Sequence, residues 1–239
     1  KGKHSQIDSL LVRGTITRLA VGSRLARGHI PIQHAILAVP VLLLVAFMTS
    51  IYVSGAFTAV LATYFALTVA YSLYLKRVLL IDVLTLAGLY TIRVFGGAVA
   101  LSIPLSSWLI VFSLSLFVSL ALMKRFVELA ALIDADKPSP TNRDYEKIDL
   151  GMLAALSAAA GFNAVTVLAL YVSSGTVGLL YSRPEVLLLA CPVMTFWIGR
   201  ALILAQRREM QDDPVLFAIK DQQSRLSGLA MLIVFMAAV

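Results

Sequence analysis

The sequence predicts an all-α integral membrane protein, a multi-helix bundle, on three observations. Of its 239 residues, 59% are hydrophobic and 14% charged, against roughly 45–50% and about 25% in soluble domains. The apolar residues fall into runs long enough to cross a bilayer. The Lys and Arg residues crowd onto alternate connections between those runs. A soluble fold of this length has no interior large enough to hide so much apolar surface. A single cysteine, Cys191, excludes a disulfide-stapled scaffold, and the apolar content excludes disorder.

A spanning helix takes about 20 mostly apolar residues. Seven stretches meet or approach that length: 33–53, 57–75, 79–100, 105–123, 150–173, 184–205 and 226–239. Ser54-Gly55-Ala56 is the turn between the first two. Pro104 divides the third from the fourth, because the residue before proline leaves the helical region. The seventh has 14 residues and reads as cut short. No strand alternation of the barrel kind occurs. Lys1–Gly28 is basic and polar, without the apolar run of a signal peptide. The chain starts at Lys1 rather than Met and ends on apolar residues, so it reads as trimmed or incomplete at one or both ends. The expected division is a segment 1–32, then a transmembrane helical domain 33–239 with polar loops at about 124–149 and 206–225.

The charges orient this arrangement. Residues 1–32, Lys76-Arg77, and the loops 124–149 and 206–225 together hold 17 of the 20 Lys and Arg residues. In a seven-span chain these segments share one side, and the opposite connections hold only Arg183. Arg93 and Arg200 lie within helices. The positive-inside rule puts the charged side, N-terminal segment included, in the cytoplasm, with the chain in the inner (plasma) membrane. The net charge of +7 is then topology rather than nucleic-acid binding. Twelve of the 13 acids sit on the same side. That pattern suits polar binding or chemistry at this face, and equally the ordinary solvation of long loops.

Individual residues carry double readings. Arg93 lies inside the third stretch, where an ionised group costs at least ~2.5–3.5 kcal/mol and faces a partner or a polar cavity. Asp82 is eleven residues earlier and on nearly the same face, but about 16 Å away, too far for a direct pair. Arg200 lies close enough to a helix end to snorkel. Asn163 reads as an interhelical hydrogen bond, and Ala154–Gly161 as a close-packing face. Lys124, Arg125 and Glu128 close the fourth stretch, and Lys76-Arg77 the second. Each cationic pair suits a membrane anchor or a lipid-linked phosphate. There is no GxxxxGK[ST], HExxH or CxxC motif. The last stretch has no lysine for a retinal Schiff base, and no transporter-type repeat is evident.

Tyr71-Ser-Leu-Tyr74-Leu-Lys76-Arg77, Ile81-Asp82-Val83 and Leu89-Tyr-Thr-Ile-Arg93-Val-Phe-Gly96-Gly97-Ala98 resemble the UbiA superfamily of membrane prenyltransferases. Pro104-Leu-Ser-Ser-Trp108 and Leu122-Met-Lys124-Arg125-Phe-Val-Glu128-Leu129 continue the likeness. Together with Arg208-Glu-Met210-Gln-Asp212-Asp213-Pro214 they look most like the branch of decaprenyl-phosphate phosphoribosyltransferase and its relatives fused to phosphatase-like domains. The resemblance spans about residues 22–236. It implies nine helices around a cavity open to the cytoplasm, of which the seven stretches are the third to ninth, with two helices before Lys1. It also implies Mg²⁺ held by an NDxxDxxxD motif on the isoprenoid phosphate. Here that place reads Gln6-Ile7-Asp8-Ser9-Leu10-Leu11-Val12, so Asp8 alone matches a metal-binding acid. Arg24-Leu25-Ala26-Arg27-Gly28 departs from the family's RPLxxG at the proline, and Tyr71 to Lys76 is one residue longer than its YxxxK. Lys124-Arg125-Phe-Val-Glu128 stands where aromatic prenyltransferases carry a second DxxxD.

The resemblance therefore implies a transferase of prenyl or phosphoribosyl groups acting on a polyprenyl phosphate or diphosphate at the cytoplasmic face. The expected phosphate-binding residues are Arg24, Tyr71, Lys76, Arg93, Lys124 and Arg125, with Asp8 at Mg²⁺. Asp82 and Glu128 are the candidates for proton transfer. The partners expected are membrane lipid and the isoprenoid substrate. The alternative is a non-catalytic lipid-binding or partner-binding membrane protein derived from the same fold.

Overall fold

A computed structural model describes residues 32–138, 143–175, 177–179, 181–210 and 213–239. The regular elements among these residues are all helical, with no strand among them. The principal helices are α1 (Ile32–Val53), α2 (Gly55–Leu73), α3 (Ile81–Ala100), α4 (Ser107–Asp134), α5 (Leu150–Val172), α6 (Ala190–Gln206), α7 (Pro214–Lys220) and α8 (Gln222–Ala238). Short 3₁₀ turns cover Leu75–Arg77, Lys147–Asp149, Val177–Leu179 and Pro184–Leu189.

Five segments are long and apolar enough to span a bilayer: Gly55–Leu73, Ile81–Ala100, Ser107–Asp134, Lys147–Val172 and Pro184–Gln206. The protein is thus a multi-pass membrane protein, although five rather than seven described segments meet that standard. The first expected span contributes a shorter described apolar stretch, Ala38–Val53. The last, α8, has 17 residues and opens on Gln222, Gln223, Ser224 and Arg225, which lower its hydropathy.

Two other boundaries differ from the sequence reading. The fourth helix does not end at 123 but runs to Asp134, so Lys124, Arg125 and Glu128 stand on helix rather than loop. Lys, Arg, Glu and Ala are good helix formers, and the buried Leu129 and Ala130 keep the packed face going past the charges. The helix ends at Asp134, and Asp136 just beyond it turns the chain away in the left-handed region at φ 50°, which Asp tolerates better than most residues. The expected loop 206–225 contains α7. Asp213 caps that helix by accepting the Val215 N–H at 3.0 Å, and Pro214 occupies its first turn.

The described residues divide into two units, one ending at Thr58 and the other starting at Ala59. In the first, Ser54 Oγ accepts the Phe57 N–H at 3.0 Å, capping α2 directly after α1 ends. In the second, α4 and α5 pack along much of their length. Ser119 Oγ donates to the Ser157 carbonyl at 2.7 Å, and Ser157 Oγ donates back to the Ser119 carbonyl at 2.8 Å. Gly161 lies one turn further along α5. A Cβ there would sit 2.7 Å from Ile198 Cγ2 and 2.8 Å from Ser119 Oγ, so glycine sets the approach of α4, α5 and α6. Asn163 Nδ2 donates to Ser115 Oγ at 3.0 Å, the interhelical bond its position suggested.

Two hydrophobic clusters fill this unit at opposite ends. One joins Val83, Met123, Phe126, Leu129, Tyr145, Leu153 and Ala205 at the charged end. The other joins Leu168, Val172, Leu187, Met194, Ile198 and Ala238 at the charge-poor end. The candidate site is built on the first.

Candidate functional site

Six residues at the charged end form one connected polar network: Tyr71, Asp82, Arg125, Glu128, Arg143 and Tyr145. They come from the end of α2, the first turn of α3, the second half of α4 and the connection to α5. Asp82 is 0% exposed and Arg125 3%. A buried charge needs complete compensation, and both have it. Asp82 Oδ2 accepts from Arg125 Nε at 2.6 Å. Asp82 Oδ1 accepts from the Tyr145 hydroxyl at 2.6 Å and from the Val83 N–H at 2.7 Å. The carboxylate also sits at the positive end of the α3 dipole.

Arg125 spends its remaining nitrogens on two further elements. Nη1 donates to Glu128, one turn along α4, and Nη2 donates to the Tyr71 hydroxyl at 3.2 Å. Arg143 donates to the same Glu128 oxygen from the α4–α5 connection. Tyr145 closes the arrangement from that connection, its hydroxyl also accepting the Leu80 N–H at 3.2 Å. Burial, reinforced by the Asp82 carboxylate that accepts its proton, pushes the Tyr145 phenol far above its ordinary value. The network carries two carboxylates and two guanidiniums, so it is neutral as a unit.

Lys124 lies beside this network and pairs with Asp213, joining α4 to the cap of α7. Lys76 lies on the turn Leu75–Arg77, which packs against α3. Among the described residues Lys76 has no acidic partner, and it is half-buried. Arg93 stands apart, on the interior of α3. Its Nε and Nη2 donate to the Tyr64 hydroxyl at 3.1 and 2.5 Å. Its guanidinium carbon lies 5.0 Å from the Tyr90 ring centroid and 5.3 Å from that of Tyr64. Arg200 does not project free to a membrane surface but makes a two-pronged pair with Asp221, at 2.6 and 3.0 Å. That pair, with hydrogen bonds from the Ser224 backbone and hydroxyl, holds the Asp221 carboxyl below its ordinary value.

Of the expected site residues, the structure therefore brings Tyr71, Asp82, Arg125 and Glu128 into direct contact and puts Lys124 next to them. Arg93 belongs to a separate aromatic setting. Asp8 and Arg24 lie outside the described residues. Asp82 and Arg125 are enclosed, and their polar atoms are engaged by each other and by Tyr145, Val83, Glu128 and Tyr71. Glu128, 42% exposed in its side chain, is the carboxylate of the network that opens outward. Tyr145, Arg143, Asp213 and Tyr64 were not singled out from the sequence. Asp213-Pro214 carried a readable cap signature, whereas Tyr145 sits in an aperiodic polar stretch with nothing to mark it.

The described carboxylates do not fit a Mg²⁺ ion. Among the described residues no three His, Cys, Asp or Glu side chains cluster for a metal. Both oxygens of Asp82 are taken by donors, Glu128 faces two guanidiniums, and Asp213 faces Lys124 and a backbone N–H. Mg²⁺ usually takes one or two carboxylates together with substrate phosphates, so the expectation rests on Asp8.

Residues 21–229 match the UbiA prenyltransferase family. The chain belongs to that family. It is 33% identical over 215 residues to the uncharacterized protein y4nM of Sinorhizobium fredii, covering 90% of this chain and 42% of that one. It is 35% identical over 180 residues to the nodulation protein NoeC of Azorhizobium caulinodans, covering 74% of this chain and 59% of that one. The chain thus spans about half the length of these curated relatives. Family membership supports prenyl-transfer type chemistry, and the charged end is where this UbiA chain assembles its polar residues.

Proposed function

We propose that the protein is a UbiA-type transferase that binds a polyprenyl phosphate or diphosphate at the cytoplasmic side of the inner membrane. The observation carrying this reading is the charged end itself. Within a family bundle, α2, the turn that follows it and α4 bring Tyr71, Lys76 and Lys124 to the edge of a rigid, internally neutral core of Asp82, Arg125, Glu128 and Arg143. The bias of Lys and Arg to that end supports its cytoplasmic orientation.

Two reactions suit such an end. In prenyl transfer, a bond forms from an acceptor to carbon 1 of the isoprenoid while the carbon–oxygen bond to diphosphate breaks. In phosphoribosyl transfer, a lipid phosphate oxygen bonds to carbon 1 of the ribose while diphosphate leaves. In both, negative charge develops on the departing oxygen, and preorganised cations stabilise it. In prenyl transfer, where the departing diphosphate is the lipid's own, Lys76 and Lys124 are those cations; in phosphoribosyl transfer they hold the attacking lipid phosphate. Arg125 holds Tyr71 and Glu128 in place, and Glu128 rather than Asp82 is exposed enough to take a proton from the acceptor. The Lys124-Arg125-Phe-Val-Glu128 sequence, in the place of a second DxxxD, favours the phosphoribosyl branch.

The test is transfer by the protein in nanodiscs, offered polyprenyl phosphate with labelled phosphoribosyl diphosphate, or prenyl diphosphate with labelled 4-hydroxybenzoate. Label entering lipid in the first pair establishes the phosphoribosyl reaction, and in the second the prenyl reaction. Folded protein that transfers neither overturns the proposal. Orientation is tested separately by cysteines at Ser139 and Ser174 in a Cys191→Ser background. Ser139 should label only from the cytoplasmic side, and labelling of both from outside would overturn that orientation.

A further inference from the structure

Arg93 poses a physical problem that the charged end does not solve. It lies twelve residues from the start of α3 and seven from its end. Its Cα is therefore about 18 Å from the charged end and about 10 Å from the opposite one. Helical side chains lean toward the N-terminus of their helix, which for α3 is the charged end, and the contacts agree. Tyr90 is one turn nearer that end. Tyr64, nine residues before Leu73 on the antiparallel α2, lies about 14 Å inside it. The guanidinium is turned away from the nearer membrane surface, the reverse of snorkelling.

It is also held stiffly. Tyr64 fixes two nitrogens, and the Tyr90 ring beneath it stacks on Phe117 of α4 at 5.2 Å between centroids, 27° from parallel. Two phenols supply quadrupole and an acceptor but no negative charge. An arginine has five N–H donors, and at hydrocarbon depth each one needs an acceptor. Among the described residues no carboxylate meets Arg93, and its side is exposed rather than packed.

We propose that Arg93, clamped by Tyr64 and Tyr90, anchors the oxyanion, a phosphate or a carboxylate, of the water-soluble substrate that reacts with the lipid. This rests on the transferase reading above. The lipid's own headgroup is met by Lys76 and Lys124 at the rim, and one headgroup does not occupy two levels about 14 Å apart. The deeper cation is thus left for the second substrate. The planar fork of arginine matches both kinds of oxyanion.

The experiment compares wild type, Arg93→Gln and Arg93→Lys in nanodiscs. It measures affinities for phosphoribosyl diphosphate, 4-hydroxybenzoate and polyprenyl phosphate, with melting temperature alongside. Arg93→Gln should weaken one soluble probe about 10- to 100-fold, the scale of a lost charge-assisted contact. Arg93→Lys should recover part of that loss, and polyprenyl phosphate should bind within about twofold of wild type. A loss for phosphoribosyl diphosphate identifies a phosphate, and a loss for 4-hydroxybenzoate a carboxylate. Unchanged affinity for both soluble probes, or a wild type that binds neither, overturns the proposal. So does an equal loss for polyprenyl phosphate, which would put Arg93 on the lipid headgroup or in the fold. Failure of the transferase reading shows elsewhere, as wild type that binds the soluble probe but never transfers to or from lipid.

Discussion

Arg125 and Arg93 stand on adjacent helices, yet the protein treats them in opposite ways. Arg125 is 3% exposed, and two carboxylates and a phenol take its donors. Arg93 is exposed, and it has two aromatic rings and one hydroxyl. The first charge is cancelled inside the protein and works as structure. The second keeps its field and its free donors for something outside. Compensation, more than depth, separates an arginine that builds a site from one that uses it.

The largest effects should come from breaking the cancelled charge. Asp82→Asn or Arg125→Ala leaves an uncompensated partner in a site closed to water, which costs about 3–5 kcal/mol. Both variants should melt far below wild type or fail to accumulate folded. Arg125→Met combined with Asp82→Leu should regain much of the loss, because an apolar pair of similar volume leaves no charge stranded. Single variants as stable as wild type would erase the contrast between the two arginines.

Next in size is Lys76, a cation without a described acidic partner. Lys76→Ala should lower polyprenyl-phosphate affinity about 10- to 100-fold, from the loss of a contact worth ~1.5–3 kcal/mol. Melting should hardly change, and Arg183→Ala at the opposite end serves as the control. Tyr145→Phe should lower stability by a similar ~1.5–3 kcal/mol, since it removes a hydrogen bond to a charged group. Its pH dependence has a definite sign. The folded state raises the phenol's value, so the stabilisation is complete below the ordinary 10.0 and fades only as pH rises through the higher folded value. The difference in unfolding free energy between wild type and Tyr145→Phe should stay level up to pH 10.0 and shrink progressively from there towards the higher folded value. A difference that shrinks below 10.0 would mean the Tyr145 hydroxyl does not donate to Asp82.

Arg200 lies between the two extremes, half-buried and matched by one carboxylate. Asp221→Asn keeps a side-chain oxygen to cap α8 but removes the charge, so about 1 kcal/mol should go, as for partly exposed pairs. The folded state lowers the Asp221 carboxyl, so this contribution is present above the ordinary 3.8 and disappears as pH falls through the lower folded value. Wild type and variant should therefore converge in acid.

How far each region was legible in the sequence follows the same divide. Helical segments and the crowding of charge at one end are composition effects, and runs such as 79–100 and 184–205 showed them directly. Lys124, Arg125 and Glu128 drew notice because charges interrupt an apolar run, but their partners lay 43 residues back at Asp82 and 89 ahead at Asp213. Nothing in the local pattern encodes such distances. The same limit hid Tyr145, whose role depends on a helix N-terminus 63 residues earlier. Helix ends were misjudged where charge was taken for loop. The apolar face of α4 continues beneath Lys124 and Arg125, and packing overrode polarity. Arg93 was visible as an anomaly of depth, with Tyr90 one turn before it on the same helix, while Tyr64 reaches it from α2 and nothing in the local pattern marks it.

The smallest effect on stability, and the sharpest test of the comparison, belongs to Arg93→Leu. Removing Arg93 gives up two cation–π contacts worth about 0.5–1 kcal/mol each and the two hydrogen bonds it donates to the Tyr64 hydroxyl. It also relieves an insertion cost of at least ~2.5–3.5 kcal/mol for arginine in a helix centre. Loss and relief are of similar size, unlike at Arg125, so the variant should melt near the wild-type temperature. Proteins keep destabilising groups where function requires them, so the same variant should lose binding of the soluble oxyanion. Thermal melting of Arg93→Leu and Arg125→Ala in the same nanodiscs decides the matter. A fall for Arg93→Leu comparable to that of Arg125→Ala would make Arg93 a second structural arginine, and the two helices would then differ only in which residues do the compensating.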